Sequence, residues 1–560
     1  MTPPDKLLAY QAAGAISRED IAAAAMLVEM ASRSGAANPS LLVWLGTCLA
    51  LRTVRDGHTC VDLDRIADWA GDIDTKKPEG LEWPTDAGSW LTALEACTTL
   101  VGTLAEQKLT GTRKPLILDG HRLYLARSLA EEQAIADALR GRARTGRIHI
   151  LLGGPGTGKT TKVAKDLVER FGKLSPGEAL PQIALAAPTG KAAARMTEAV
   201  KQACKAAGGS EALLQWIGNA PARTIHKLLG FNPSRTERFA YHAKETLPYR
   251  LVIIDEASMI SSTLMHHLLS AVDPEAELRL VGDPNQLASV DAGTVLGDIA
   301  ISGDADSQDH PLHGCIETLE KIYRQESANI LGLGKAVRTG NTADALALLA
   351  AGSPDIEWID PADATKLNAI TKMAVAHAKK LQDVANGSDP GNVLTTQSEF
   401  QVLCGHREGE MGVSGWNARI EKGLGVRATD PWYVGRPVMV TRNTPSLRLA
   451  NGDVGVIVAA GDRREALFGL PGQSLRVPVA RLEDIDTVHA FTIHKSQGSE
   501  YDHVVVVLPD RPSRIVTREL LYTGITRART KVTIVGLRHV IAAAIETPIR
   551  RATGLAARLT

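Results

Sequence analysis

Ile148-His-Ile-Leu-Leu-Gly-Gly-Pro-Gly-Thr-Gly-Lys-Thr160 reads as a buried strand that breaks into a glycine-rich loop and turns into a helix. The apolar part, Ile148 to Leu152, is short and bounded by glycine, which suits an interior strand. Gly153 to Thr160 fits G-x-x-x-x-G-K-[ST] at every position. Val163, Leu167 and Phe171 then share one face, as the following helix requires. Glycines let backbone N–H groups close around phosphates, and a helix N-terminus favours anions. Gly153, Gly154, Pro155, Gly156, Thr157 and Gly158 are therefore expected to cradle a triphosphate, with Thr161 beside them. Lys159 is expected to reach the β- and γ-phosphates, and Thr160 to ligate Mg²⁺. ATP and Mg²⁺ are the expected ligands. A plain glycine turn before a helix is the competing reading, and both flanks argue against it.

Three further apolar runs surround this one: Ile183 to Ala187, Leu251 to Ile254 and Leu278 to Val281. Each ends in a polar turn, and helical patterns separate them. That alternation predicts an α/β fold with an open parallel sheet, whose ligands sit at the strands' carboxyl ends. Leu251-Val-Ile-Ile-Asp-Glu-Ala-Ser258 delivers Asp255 and Glu256 to such an end. Asp255 would hold Mg²⁺ and Glu256 would activate water. Leu278-Arg-Leu-Val-Gly-Asp-Pro-Asn-Gln-Leu287 presents Gln286, an amide that can sense a γ-phosphate. Arg324, in Tyr323-Arg-Gln325, and Arg527, in Leu521-Tyr-Thr-Gly-Ile-Thr-Arg-Ala-Arg529, are candidate cations for the γ-phosphate. Surface arginine and a helix-capping Asp-Glu pair are the bland alternatives.

A second α/β block is expected from about 346, with strands at Val402–Cys404, Val504–Leu508 and Val532–Val535. From 430 to 488 the texture turns β-rich, with Asn451-Gly as a turn signal, and predicts a small inserted β-barrel. Residues 1–115 read as helical: Ile21, Met26, Leu27 and Met30 recur at helical spacing, as do Leu41, Leu45, Leu49 and Leu51. The apolar run at Leu41–Leu51 is about half of the roughly 20 residues a membrane span needs and predicts a buried helix. Gly71–Pro84 reads as a polar loop.

Composition narrows the classes. Lys plus Arg is 63 and Asp plus Glu is 63 among 560 residues, which excludes a generally basic nucleic-acid coat but not a local basic channel. The six cysteines form no C-x-x-C clip, which argues against zinc or iron–sulfur sites. Scattered Cys and an N-terminus without signal-peptide features predict a cytoplasmic protein with reduced thiols and no membrane association.

Taken in order, GGPGTGKT, DEAS, GDPNQLASVDAG, YRQ, TIHKSQGSEYD and LYTGITRAR resemble the superfamily-one helicases. Within them the resemblance is to the RecD branch, the alpha subunit of exodeoxyribonuclease V (the RecBCD complex), and covers about 120–540. It implies two RecA-like P-loop NTPase domains in tandem, at 116–345 and at 346–429 with 489–560. It also implies 5′ to 3′ movement on single-stranded DNA, duplex DNA ends as substrate, and RecB-like and RecC-like partners. Gln133 resembles the glutamine that reads adenine, and Glu500 the residue that completes the nucleotide site. Pro188, Thr189, Gly190, Lys191, Thr224 and His226 resemble segments that grip the DNA backbone. Thr492, His494, Lys495, Ser496, Gln497 and Gly498 resemble the second domain's DNA and ATP coupling segment. Relatives carry a duplex-splitting β-hairpin pin where this chain has 231–249, with Arg235, Arg238 and Phe239; a surface loop is the alternative. The first 115 residues, including Arg55-Asp-Gly-His-Thr-Cys-Val-Asp-Leu63, resemble that subunit's docking domain. No nuclease constellation is present, so nuclease activity is expected only from a partner. A stand-alone RecD-like or conjugative-type helicase and a P-loop switch ATPase are the competing readings.

Overall fold

The computed structural model describes residues 3–32, 38–72, 82–106, 114–172, 182–234, 238–302, 308–321, 327–387, 392–427, 429–470 and 473–560. Among the described residues there are twenty strands, numbered in chain order. Those of the first large sheet are β5 (Ile148–Gly153), β6 (Ile183–Ala187), β7 (Arg223–Thr224), β8 (Leu251–Ile254), β9 (Glu277–Gly282) and β10 (Ile316–Leu319). They lie in the order β10-β5-β9-β8-β6-β7, and every pairing is parallel. The four expected strands are all present. Period-two alternation divides their side chains between two cores. Ile148, Ile150, Leu152, Val252, Ile254, Leu278 and Leu280 enter one. Leu151, Ile183, Leu185, Leu251, Ile253 and Val281 enter the other. A sheet buried on both faces needs such continuous apolar strands. Truncating one fully buried residue, such as Ile254 to Ala, costs about 2–5 kcal/mol.

The second large sheet contains β11 (Ile356–Ile359), β12 (Phe400–Cys404), β18 (Ala490–Thr492), β19 (Tyr501–Val507) and β20 (Ala528–Val535). Its order is β11-β20-β19-β12-β18, again all parallel. The helices Ala328–Arg338 and Thr342–Ala351 pack into this sheet's core through Ile330, Leu333, Val337, Leu346 and Leu349. The boundary expected at 345 therefore falls earlier, after β10.

The insertion holds β13 (Pro437–Val440), β14 (Val454–Ala460), β15 (Arg463–Leu470), β16 (Gln473–Pro478) and β17 (Ile485–Thr487). The expected closed barrel is instead a five-stranded antiparallel sheet, β16-β15-β14-β13-β17. Among the described residues no pairing joins its edge strands. One face buries Val438, Ile457 and Phe468, and the other buries Val456 and Val458 against the helix Ala364–Asn386.

The N-terminal region is helical as expected, and the run at Leu41–Leu51 forms the buried helix Leu41–Thr53. It also carries a small sheet: β1 (Cys60–Asp62), β2 (Val101–Thr103), β3 (Leu116–Asp119) and β4 (Arg122–Leu125), ordered β1-β4-β3-β2. Leu116, Leu118 and Leu123 share its core, so this region runs about ten residues past the expected limit of 115. Most of the polar stretch 71–84 lies outside the described residues. Among the described residues no helix is long and apolar enough to cross a membrane.

The chain's last segment leaves the second block, where it was expected, and returns to the first. Leu555 and Leu559 enter the first sheet's core. Gly554 N donates to both oxygens of the buried Glu132 at 3.2 Å, and Tyr124 and Thr59 donate to the same carboxylate. Burial raises the Glu132 pKa, and these donors hold it partly back. The Arg551 guanidinium lies against Gly57 (φ +85°), where a Cβ would approach its Cζ to 2.8 Å. Only glycine suits that turn and that contact.

Candidate active site

The helix Lys159–Phe171 begins at Gly158 in the left-handed conformation (φ 84°), without a side-chain cap. Its first N–H groups are thus left to an incoming ligand rather than to a neighbour. Gly156 (φ 75°) also takes a turn that other residues resist. A Cβ on Gly153 would lie 2.6 Å from Thr157 Oγ1 and 3.0 Å from the Leu319 carbonyl of β10. Lys159 Nζ donates to the Gly153 and Gly154 carbonyls at 2.6 and 2.8 Å. Thr157 Oγ1 donates to Gly154 O at 2.8 Å. Thr160 is half-buried and Thr161 exposed. A cleft of about 730 Å³ runs from Gly153–Pro155 and Thr157 to Arg338, Tyr522 and Thr526.

Asp255 follows β8 and Glu256 follows it with φ 53°, a conformation that costs a bulky residue energy and that clusters at functional sites. Glu256 N donates to Asp255 Oδ1 at 2.8 Å. Burial and then the Glu256 carboxylate raise the Asp255 pKa, while Lys159 and Arg195 oppose them. A half-buried acidic pair facing an ammonium and an open helix start fits a divalent cation bound to a triphosphate. Gln286 is buried, and its amide lies 3.4 Å from Asp283 Oδ2.

The second sheet closes on this loop. Tyr522 OH donates to Asp283 Oδ2 at 3.1 Å. Leu287 N donates to Thr523 Oγ1 and Gln497 Nε2 donates to Leu287 O, both at 3.1 Å. Leu287 itself is buried in the second block's core. Arg527 is buried, donating to Thr523 O and Ser499 O at 3.1 and 3.2 Å. Burial lowers its pKa, opposed first by the Glu256 carboxylate across the cleft. Arg195, on the helix Gly190–Ala206, pairs with Glu500 of the second block. Burial works against its charge, but Glu500 and then Glu256 and Asp255 hold its pKa above the ordinary value. Asp283, Arg195 and Tyr522 were not foreseen. Arg195 had no local motif to mark it, whereas Asp283 and Tyr522 lay inside quoted segments.

Other expected residues are placed more modestly. Thr189 and Thr224 cap the helices Gly190–Ala206 and Ile225–Leu228, accepting from Ala192 N and Lys227 N at 3.2 Å. Pro188, Gly190 and Lys191 form the half-buried turn there. A Cβ on Gly190 would lie 2.8 Å from Ala450 of the inserted sheet. Burial lowers Lys191 to about 8, against the pull of Asp453 in that sheet. Ser496 is fully buried and donates to Ile493 O at 2.6 Å, so it holds the turn instead of facing a strand. Lys495 Nζ lies 3.1 Å from Asp486, and Thr492 and His494 are half-buried. A Cβ on Gly498 (φ 72°) would lie 3.9 Å from Ala192 of the first block. Gln133 is half-buried on the helix Ala126–Arg144 and does not line the cleft. Arg324 lies outside the described residues. Within 231–249, where a hairpin pin and a surface loop were the two readings, the described residues show one isolated bridge, His242 with Glu245; Arg235 lies outside them.

A phosphate cradle on one parallel sheet, closed by an arginine and a tyrosine from a second, defines a two-sheet P-loop ATPase of the helicase class. The family models and the related sequences agree. Residues 135–292 match the AAA domain model and 487–535 the UvrD-like helicase C-terminal domain. Residues 12–124 match the N-terminal domain of the RecBCD enzyme subunit RecD. The RecBCD enzyme subunit RecD of Mycolicibacterium smegmatis is 40% identical over 93% of this chain and 94% of its own length. That of Mycobacterium tuberculosis is 37% identical over 98% and 96%. The ATP-dependent RecD2 DNA helicase of Deinococcus radiodurans is 32% identical, over 72% of this chain and 48% of its own. Bacteroides Pif1 bound to ssDNA overlays 72% of this chain and 91% of its own at 18% identity, with a TM-score of 0.38. The chain belongs to the RecD family.

Proposed function

We propose that this chain is an ATP-dependent, 5′ to 3′ DNA helicase acting in the cytoplasm as the RecD subunit of a RecBCD-type helicase–nuclease. Two RecA-like domains enclose ATP, and DNA runs along the Pro188–Lys191, Thr224–His226 and Thr492–Gly498 segments. RecB-like and RecC-like subunits complete the assembly, and nuclease activity resides in a partner. The observation that supports the reading best is the closure of one cleft by both sheets, through Asp283–Tyr522 and Arg195–Glu500. A motor needs that geometry, because hydrolysis then changes how the sheets sit on each other.

Lys159 and the loop N–H groups hold the phosphates, with Glu500 bounding the nucleotide from the second block. Thr160 and Asp255 would hold Mg²⁺, which supplies charge neutralisation to the phosphates. Glu256 takes a proton from the attacking water as the γ-phosphorus–oxygen bond to ADP breaks. Gln286, Arg324 and Arg527 answer the charge that develops on the γ-phosphate. Subunit status gains support from the N-terminal region, where Leu8, Met26 and Met30 are exposed at 59, 67 and 64%. Met26 and Met30 lie one helical turn apart on Arg18–Ser32 and give an apolar stripe for a partner. The deciding experiment is unwinding of duplexes with 5′ or 3′ tails, by the chain alone and with its partners. Unwinding from 5′ tails with DNA-stimulated ATP hydrolysis is expected; ATP turnover indifferent to DNA would overturn the reading.

A further inference from the structure

Five rings make a continuous ladder beside the Thr224–His226 turn. His226 meets Phe231 edge-on, with centroids 5.4 Å apart, and lies 6.1 Å from Phe239. Phe231 and Phe239 are 5.3 Å apart. Phe239 continues to His267 at 4.5 Å, and His267 to His266 at 5.6 Å. Three separate segments supply these rings: the helix Ile225–Leu228, the loop after it, and the helix Ser262–Ala271. Aromatic residues are scarce, yet two of the six phenylalanines of the chain are here.

Packing accounts for part of this. Phe239 leans on the first block's core. It does not account for Phe231, which is 41% exposed, or for His226, which is also exposed. Nor does it account for Val290, 84% exposed on the loop whose Asp291 acts electrostatically on His226. A row of rings ending in open apolar surface, next to a turn with exposed Lys227, suits a ligand that is flat and apolar on its faces and charged along its edge.

We propose that this ladder is a base-stacking platform for single-stranded nucleic acid, receiving unpaired bases of a strand whose backbone lies at Thr224–His226. The proposal rests on the DNA-motor reading above and adds a surface to it. Every base has a π face, so such a platform tolerates any sequence, as a moving enzyme requires. Burial lowers the pKa of both His266 and His267 and so disfavours their charged forms, which suits rings that present aromatic surface.

The test compares binding of the full chain to oligothymidylate and to an abasic oligonucleotide of equal length, which keeps the phosphates and removes the rings. The chain is expected to prefer the base-bearing strand roughly tenfold. Phe231→Leu should lose most of that preference with its affinity for the abasic strand unchanged, and Phe231→Tyr should retain it. An unchanged preference in Phe231→Leu, or equal weakening on both strands, overturns the platform while leaving the motor reading intact. Failure of the unsubstituted chain to bind either strand overturns both.

Discussion

Gly153 to Thr160 offer phosphate mostly backbone: two left-handed glycines, an uncapped helix start and one ammonium. The facing half offers side chains: Arg527, Tyr522, Thr523 and Glu500, from segments spread over 28 residues between Ser499 and Arg527. The first half is local in sequence and positioned by one strand and one helix. The second is positioned by contacts across the cleft, among them the Leu287 backbone gripped at both its N–H and its carbonyl. A locally built site can exist in a separated block; a site built by contact exists only when the blocks meet. On the proposed function, nucleotide binding would belong to the first sheet and turnover to the pair.

That division can be broken by substitution. The largest effect is expected for Lys159→Gln, which removes the cradle's cation: ATP turnover should fall on the order of a thousandfold with the thermal midpoint unchanged. Retained unwinding by this variant would show that the cradle is misassigned. Arg527→Ala should lower kcat on the order of a hundredfold while nucleotide Kd stays within about threefold. Because Arg527 is buried, Arg527→Lys controls for lost packing; equal losses in kcat and binding would erase the distinction between the halves. Arg195→Ala should lower DNA stimulation of ATPase roughly tenfold, about 1.4 kcal/mol, and show coupling in a double-mutant cycle with Glu500→Gln. Additive effects would remove that pair from the link between blocks.

The smallest effect tests the seam behind the first sheet. Asp298 is buried, accepts from Thr553 and Thr294 at 2.8 and 3.3 Å, and burial raises it from 3.8 to about 7. The folded state therefore keeps a proton that the unfolded chain releases. Stability should fall as pH rises from about 4 to about 7 and then level off. Asp298→Asn should flatten that slope and add about 1 kcal/mol at pH 8, read from denaturant midpoints at several pH values. An unchanged slope would assign the pH dependence to another group.

Much of this was legible because it is local. The runs at Ile148–Leu152, Leu251–Ile254 and Val532–Val535 are apolar enough to be strands in any context, and all three are. The Asn451-Gly452 signal is a real turn, with Gly452 at φ 91° between the paired strands β13 and β14. What escaped depends on distant partners. β10 has a mixed burial pattern and becomes a strand by pairing with β5. The inserted sheet is open among the described residues, and one of its faces packs on a helix of the second block, a contact that no pattern within 430–488 encodes. Ser496 looks like a phosphate-binding hydroxyl in sequence, and only burial reveals its bond to Ile493. Arg195 is one cation among many on a helix until Glu500 stands opposite.

The returning tail bears on how the molecule is made. Gly554 closes on Glu132 across 422 positions of sequence, and Leu555 and Leu559 fill the core of the earlier-synthesised sheet. Such distant closure is slow, and exposed apolar surface invites aggregation while it waits. On the ribosome the first sheet must therefore emerge with its core unfinished and stay so until the far block has been translated. The helix Leu555–Leu559 fills that core, so a product lacking it would carry the phosphate loop on an incompletely filled core.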